Sequence, residues 1–175
     1  RVPVAYGSAR KSDMGRVVTW DELDLLRAQW RRDGRRVVWT NGCFDLLHVG
    51  HLRNLQACRA CGDVLVVGIN NDASVRTIKG PARPVNPEDD RAELLAGLAC
   101  VDAVVLFGET TPEVSLARLK PEVHCKGADY APPHGKPIPE ARTVAAYGGA
   151  IRFIPLVPGR STTGTLERIA GAGDG

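Results

Sequence analysis

The run Val64-Leu65-Val66-Val67-Gly68-Ile69 contains no polar residue, and this constrains the fold more than any other feature. A strand with one wet face alternates apolar and polar residues; a strand apolar throughout is covered on both faces, as in parallel sheets. Val37–Thr40, Ala103–Phe107, Val123–Lys126 and Ile151–Ile154 are the other short strand-like runs. Helical segments separate them. Thr19 and Glu22 form a capping-box pattern for a helix to about Arg32, which Gly34 ends. A second helix runs from about Val49 to Cys61, stopped by Gly62. Asn70-Asn71-Asp72 closes a strand and caps the next turn. Asn86-Pro87 and Thr111-Pro112 read as cap-plus-proline helix starts. Residues 129–139 are a loop rich in Pro and Gly, a helix follows to Tyr147, and Ser161 caps a last helix. The alternation predicts an α/β fold, a doubly wound, Rossmann-like parallel sheet in one domain over residues 16–170. Residues 1–15 are expected to be a flexible extension or linker, and residues 171–175 a flexible tail.

Ligands of such sheets bind beyond the carboxyl ends of the strands, at the topological switch point. The polar candidates cluster there: Asn41–His51, Asn70–Lys79, Lys126–Tyr130 and Arg160–Thr163. In Asn41-Gly42-Cys43-Phe44-Asp45-Leu46-Leu47-His48-Val49-Gly50-His51, two histidines at i, i+3 share one face of a helix start. Free backbone N–H groups and the positive dipole end lie in the same turn. Together they make a site for phosphate oxygens. The pair also suits simple capping, and His pairs bind zinc, but the HExxH spacing of zinc hydrolases is absent. Gly42, which frees the turn, and Gly50, which admits a close ligand, favour phosphate.

Composition excludes other classes. The net charge of +3 and an aromatic content of 5% make no case for nucleic acid. No apolar run approaches the about 20 residues of a membrane helix, and residues 1–16 lack a signal-peptide core. Five cysteines without a small secreted framework fit a reducing, cytoplasmic compartment. Cys58-Arg-Ala-Cys61 lies inside an expected helix without a second ligand pair, so helix packing is its default reading.

Residues Gly42–His51 resemble the GxFDxxHxGH signature of the cytidylyltransferase-like nucleotidyltransferases, and Ser161-Thr162-Thr163 resembles the S[ST]T motif opening their last helix. Within that superfamily, Thr40–Asp45, Lys79-Gly80 with Arg83–Pro87, Lys126–Tyr130 and Gly159–Thr163 are similar to the D-glycero-β-D-manno-heptose 1-phosphate adenylyltransferases. In many bacteria such a domain follows a sugar kinase in one polypeptide. The resemblance implies transfer of AMP from ATP to the sugar 1-phosphate, giving ADP-heptose and pyrophosphate. It implies Mg²⁺ held mainly by phosphates with no dedicated protein site, a homodimer and a functional link to a sugar kinase.

The same resemblance assigns catalysis to His48, His51, Lys79 and Lys126. Nucleotide binding falls to Thr40, Asn41, Gly42, Cys43, Phe44, Gly50, Arg91, Ser161, Thr162 and Thr163. Asp45, Asn71, Asp72, Lys126, Asp129 and Arg160 are the candidates for substrate binding, Lys126 for phosphate and Asp129 for the sugar or nucleoside. Plainer roles stand beside these. Lys79 also suits a solvated loop, and Arg91 a surface pair with Glu88 or Glu93. Asp45 also suits Mg²⁺ or the orientation of a histidine, and Ser161 a simple cap. Arg160 adjoins Ser161, whereas several cytidylyltransferases carry their arginine earlier; this favours the heptose type. The alternatives are a cytidylyl- or guanylyltransferase for another phosphorylated sugar or polyol, and a non-catalytic nucleotide-binding protein.

Overall fold

A computed structural model of the chain describes residues 15–159 and 162–171. Six parallel strands form one sheet in the order β1-β4-β3-β2-β5-β6. They are β1 (Arg16–Val17), β2 (Val37–Gly42), β3 (Val64–Asn70), β4 (Ala103–Phe107), β5 (Val123–Gly127) and β6 (Ala150–Ile154). The helices are α1 (Trp20–Arg32), α2 (Val49–Arg59), α3 (Asp72–Lys79), α4 (Glu88–Ala96), α5 (Glu113–Leu119), α6 (Ala141–Ala146) and α7 (Thr162–Gly171).

Every residue of β3 is buried, and the reason is two-sided packing. Leu65, Val67 and Ile69 join Leu55 of α2 and Leu95 of α4 in one core. Val64 and Val66 join Leu23 and Trp30 of α1, Leu116 of α5 and Val144 of α6 in the other. Trp39, fully buried on β2, lies against the place where a Gly68 side chain would stand. Arg27 of α1, 6% exposed, donates to the carbonyls of Leu119 and Lys120 and pairs with Glu122. Glu122 in turn accepts from the Val37 amide at 2.8 Å, so α1, α5 and β2 share one polar anchor.

The expected parallel sheet is present, with one strand more than the apolar runs suggest. β1 is two residues long, both exposed, and its register on β4 begins at Arg16 opposite Ala103. A pair that short carries no apolar pattern. The Thr19–Glu22 capping box forms as read. Two other helix starts differ by one residue. Pro87 and Pro112, rather than Asn86 and Thr111, occupy the N-cap positions. The Asn86 side chain is drawn away to Asp45, and the Thr111 hydroxyl donates to Glu113. Residues 72–79, read as a turn and loop, form the two-turn helix α3, capped by Asn71 accepting from the Ser74 amide at 2.9 Å. Residues 1–14, Arg160, Ser161 and residues 172–175 lie outside the described residues, so the expected extension, tail and Ser161 cap do too. No helix among the described residues is long and apolar enough to cross a membrane.

β2 is the switch strand: β3 and β4 lie on one side of it, β5 and β6 on the other. The crevice that opens beyond it therefore borders the carboxyl ends of β2 and β5.

A Cβ at Gly68 would meet the Trp39 ring at 2.3 Å. Gly68→Ala is expected to lower stability by about 1–3 kcal/mol through overpacking, read as a shifted urea midpoint.

Candidate active site

β2 leaves the core at Asn41 and Gly42, and the chain must turn sharply to enter α2. The turn is made by Phe44, at φ +47°, rather than by Gly42, whose φ is not positive. Gly42 has a different duty: a Cβ there would press on the Phe44 ring at 3.3 Å. Phe44 is 9% exposed and tilts against His51 with ring centres 5.5 Å apart. His48 is the extended N-cap of α2, and its ring stacks on His51 at 3.9 Å. The i, i+3 spacing thus brings the two imidazoles face to face.

The His48 amide donates to His51 Nδ1 at 3.3 Å. With Nδ1 accepting, a neutral His51 ring carries its proton on Nε2, as a donor. Burial, with the His48 charge adding to it, lowers His51 from 6.5 to about 4. The ring is therefore a neutral hydrogen-bond donor at physiological pH. The first amides of α2 also lack intrahelical acceptors.

These groups border a cleft of about 860 Å³. β2 contributes Thr40–Gly42, with Cys43–Asp45 following, and α2 contributes His48, Gly50, His51 and Asn54. Lys79, Arg83, Thr110, Lys126, Asp129, Tyr130, Glu140 and Thr162 line the rest with neighbouring prolines and apolar residues. Thr40 Oγ1 donates to the Cys125 carbonyl at 3.3 Å, joining β2 to β5 across the switch point. The Asn41 side chain accepts from Trp39 Nε1. Burial raises the Cys43 thiol against the opposing charges of Lys79 and Arg91. Lys79 is the last residue of α3, exposed, and followed by Gly80 at φ +96°. Thr162 Oγ1 donates to the Leu46 carbonyl at 3.2 Å, which ties the start of α7 to the histidine loop. Arg160 and Ser161 lie outside the described residues, and the side chain of Thr163 is likewise undescribed.

On the β5 side, Lys126 Nζ donates to Glu140 Oε1 at 2.8 Å and lies 4.2 Å from the Tyr130 ring centre. Glu140 is 1% exposed and also meets His124 Nε2 at 3.0 Å. Burial alone would raise its carboxyl; the hydrogen bonds from His124 and Lys126 prevail and hold it at about 2. Asp129 pairs with Lys136 at 2.5 Å. Across the cleft, Asp45 is 3% exposed and its oxygens are fully engaged. Oδ1 accepts from the amides of Val85 and Asn86, and Oδ2 from Arg83 Nε. These bonds hold the Asp45 carboxyl below its ordinary value against its burial. Its carboxylate is thus spent on the 83–86 segment rather than on Mg²⁺ or a histidine.

Three expected site residues are not among those that line the cleft. Arg91 is fully buried and donates to Asn86 O at 3.0 Å, Cys43 O at 2.6 Å and Asp72 Oδ1 at 2.7 Å. Its ion pair is with Asp72, in place of the surface pair with Glu88 or Glu93. Asp72 is taken by Arg91, and Asn71 by the α3 cap. Arg83, Asn54, Thr110, Tyr130 and Glu140 were not assigned from sequence. Arg83 lies in the quoted Arg-Pro-Val-Asn-Pro block, and its charge near Lys79 was the available signal. Among the described residues no group of three His, Cys, Asp or Glu side chains is arranged to hold a metal. Cys58 lies in the core, and the thiols of Cys58 and Cys61 are free.

The sheet order, the stacked histidines and the β2–β5 cleft define a nucleotidyltransferase-type α/β fold. The chain belongs to the cytidylyltransferase-like family, whose profile matches residues 39–162. It is 50% identical over 146 residues to the bifunctional protein HldE of Syntrophotalea carbinolica, covering 83% of this chain and 29% of that protein. It is 47% identical over 162 residues to HldE of Trichlorobacter lovleyi, covering 91% and 32%. The chain thus spans about a third of the curated relatives' length. The crystal structure of the lipopolysaccharide core biosynthesis protein from Thermoplasma volcanium superposes with a TM-score of 0.57 at 26% identity, covering 71% of this chain and 98% of that one. Pantothenate synthetase from Thermus thermophilus shares the fold, with a TM-score of 0.55 at 19% identity over 81% of this chain and 62% of its own.

Two pH effects follow. The His51 ring should titrate near pH 4, as read by NMR. Glu140, whose folded value lies below 4.5, stabilises the fold above that value, and the contribution is lost as pH falls toward about 2. Glu140→Gln should flatten this part of the stability curve in urea titrations between those limits.

Proposed function

We propose that this chain transfers AMP from ATP to D-glycero-β-D-manno-heptose 1-phosphate, giving ADP-heptose and pyrophosphate. The observation that carries the proposal is the cleft at the switch point, lined by the stacked His48 and His51 together with Lys79 and Lys126. Two phosphate-bearing substrates need that arrangement of neutral donors and cations. The heptose assignment is supported by the motif blocks around Lys79, Lys126 and Gly159 and by the similarity to HldE proteins.

An oxygen of the sugar phosphate attacks the α-phosphorus in line. A P–O bond forms, the bond from the α-phosphorus to the α,β-bridging oxygen breaks, and pyrophosphate leaves with that electron pair. No covalent enzyme intermediate is needed, so positioning and charge stabilisation carry the catalysis. His51, through Nε2–H, and His48 donate to triphosphate oxygens as charge builds on the leaving group. Lys79, at a helix end followed by Gly80, reaches the reacting phosphates. Lys126 is held by Glu140 toward the acceptor side. Ser161, Thr162 and Thr163 serve the β- and γ-phosphates. Mg²⁺ bound with ATP would neutralise charge on the phosphates and would need few protein ligands of its own. We assign the protein to the cytoplasm, as a dimer working beside a sugar kinase.

Pyrophosphate release with Mg²⁺, the heptose 1-phosphate and each of ATP, CTP, GTP and UTP tests the proposal. Turnover with ATP alone is expected. Turnover with another triphosphate corrects the nucleotide, and none with any of the four from folded protein rejects the proposal. His48→Ala should keep its fold and lose about 10²–10³ in kcat; unchanged turnover would remove the histidine from the chemistry.

A further inference from the structure

Arg83 sits in the segment between α3 and α4, with its side chain 18% exposed and facing the cleft. Its Nε donates to Asp45 Oδ2 at 2.5 Å, and the partner carboxylate is 2% exposed. Among the described residues, neither terminal nitrogen of Arg83 has a hydrogen-bond acceptor. Asp45 therefore fixes the guanidinium plane from behind and leaves the front edge open.

A loop staple would not require this. The segment is already held by the amides of Val85 and Asn86 on Asp45 Oδ1, by Asn86 Nδ2 on the Asp45 carbonyl, and by Arg91 on the Asn86 carbonyl. An arginine that lines a cleft with its Nε committed and its terminal nitrogens without acceptors is a prepared fork for two oxygens of a tetrahedral anion. The histidine pair and the α2 amides offer one phosphate-binding wall. Arg83 lines the same cleft, and its charge, like that of Lys79, acts on Cys43. In-line attack needs a second phosphate brought within about 3–3.5 Å of the first, against their mutual repulsion. A fixed cation in the same cleft supplies both the position and the charge.

The geometry points to Arg83 as the group that binds the phosphate of the sugar 1-phosphate, with Asp45 as the residue that positions it. This rests on the function proposed above. It also gives Asp45 a part in substrate binding that it performs through another side chain.

The test compares the full chain with its Arg83→Lys variant. Lysine keeps a cation for Asp45 and the segment but has no fork. The KM for heptose 1-phosphate is expected to rise by about tenfold or more, with the KM for ATP within about twofold of wild type. A rise confined to ATP would assign Arg83 to the triphosphate and overturn the inference. No change in either KM, or a variant that fails to fold, would show a structural arginine and overturn it too. Calorimetric binding of inorganic phosphate, measured in parallel, needs no turnover. If wild type uses no triphosphate with the heptose 1-phosphate, the proposed function fails. Weaker phosphate binding by Arg83→Lys then still supports the anion fork, whereas equal binding, or none by either protein, rejects it.

Discussion

The cleft depends on one buried carboxylate. Asp45 belongs to the loop that delivers the two histidines, yet its acceptors are used by a segment almost forty residues further along the chain. Arg91 grips the same two segments from beneath, through the carbonyls of Cys43 and Asn86, and adds α3 through Asp72. A buried charge stripped of its donors is costly, so the loop and the 83–86 segment stand or fall together. Loop and segment thus form one rigid wall, framed by Asp45, Arg91 and Asp72.

The opposite wall rests on a second buried carboxylate, Glu140. It reaches back from the end of a Pro- and Gly-rich loop to hold Lys126 and His124 of β5. The two walls meet where β2 and β5 pair, at Val38 with Val123 and Trp39 with His124. Between them, Lys79 is the least restrained cation, at a helix end with a left-handed glycine next to it. That contrast suits a reaction in which most groups hold geometry and one follows the substrate.

The fold was legible because β3 is apolar at every position, and a fully apolar strand has few places to go. β1 escaped because two exposed residues have no period, and α3 because its eight residues bury little beyond Ser74 and Val75. In the site, the His48–His51 pair was readable, since i, i+3 spacing is a local property. Arg91 was misplaced for the opposite reason. Its neighbours Glu88, Asp89, Asp90 and Glu93 read as a solvated face, and only the packing of α4 on the sheet shows that it points inward. Arg83 and Glu140 take their meaning from partners 38 and 14 residues away, beyond the reach of any local pattern.

The cleft's own charges are nearly matched. Among the described residues that line it, Lys79, Arg83 and Lys126 face Asp45, Asp129 and Glu140, and His51 is neutral. A lining balanced in this way adds little of its own to the field that reaches solvent. Selection happens at contact, through donors already aimed. Capture rates in such an enzyme depend only weakly on ionic strength, and the abundant simple anions of a cell gain no advantage from their charge alone.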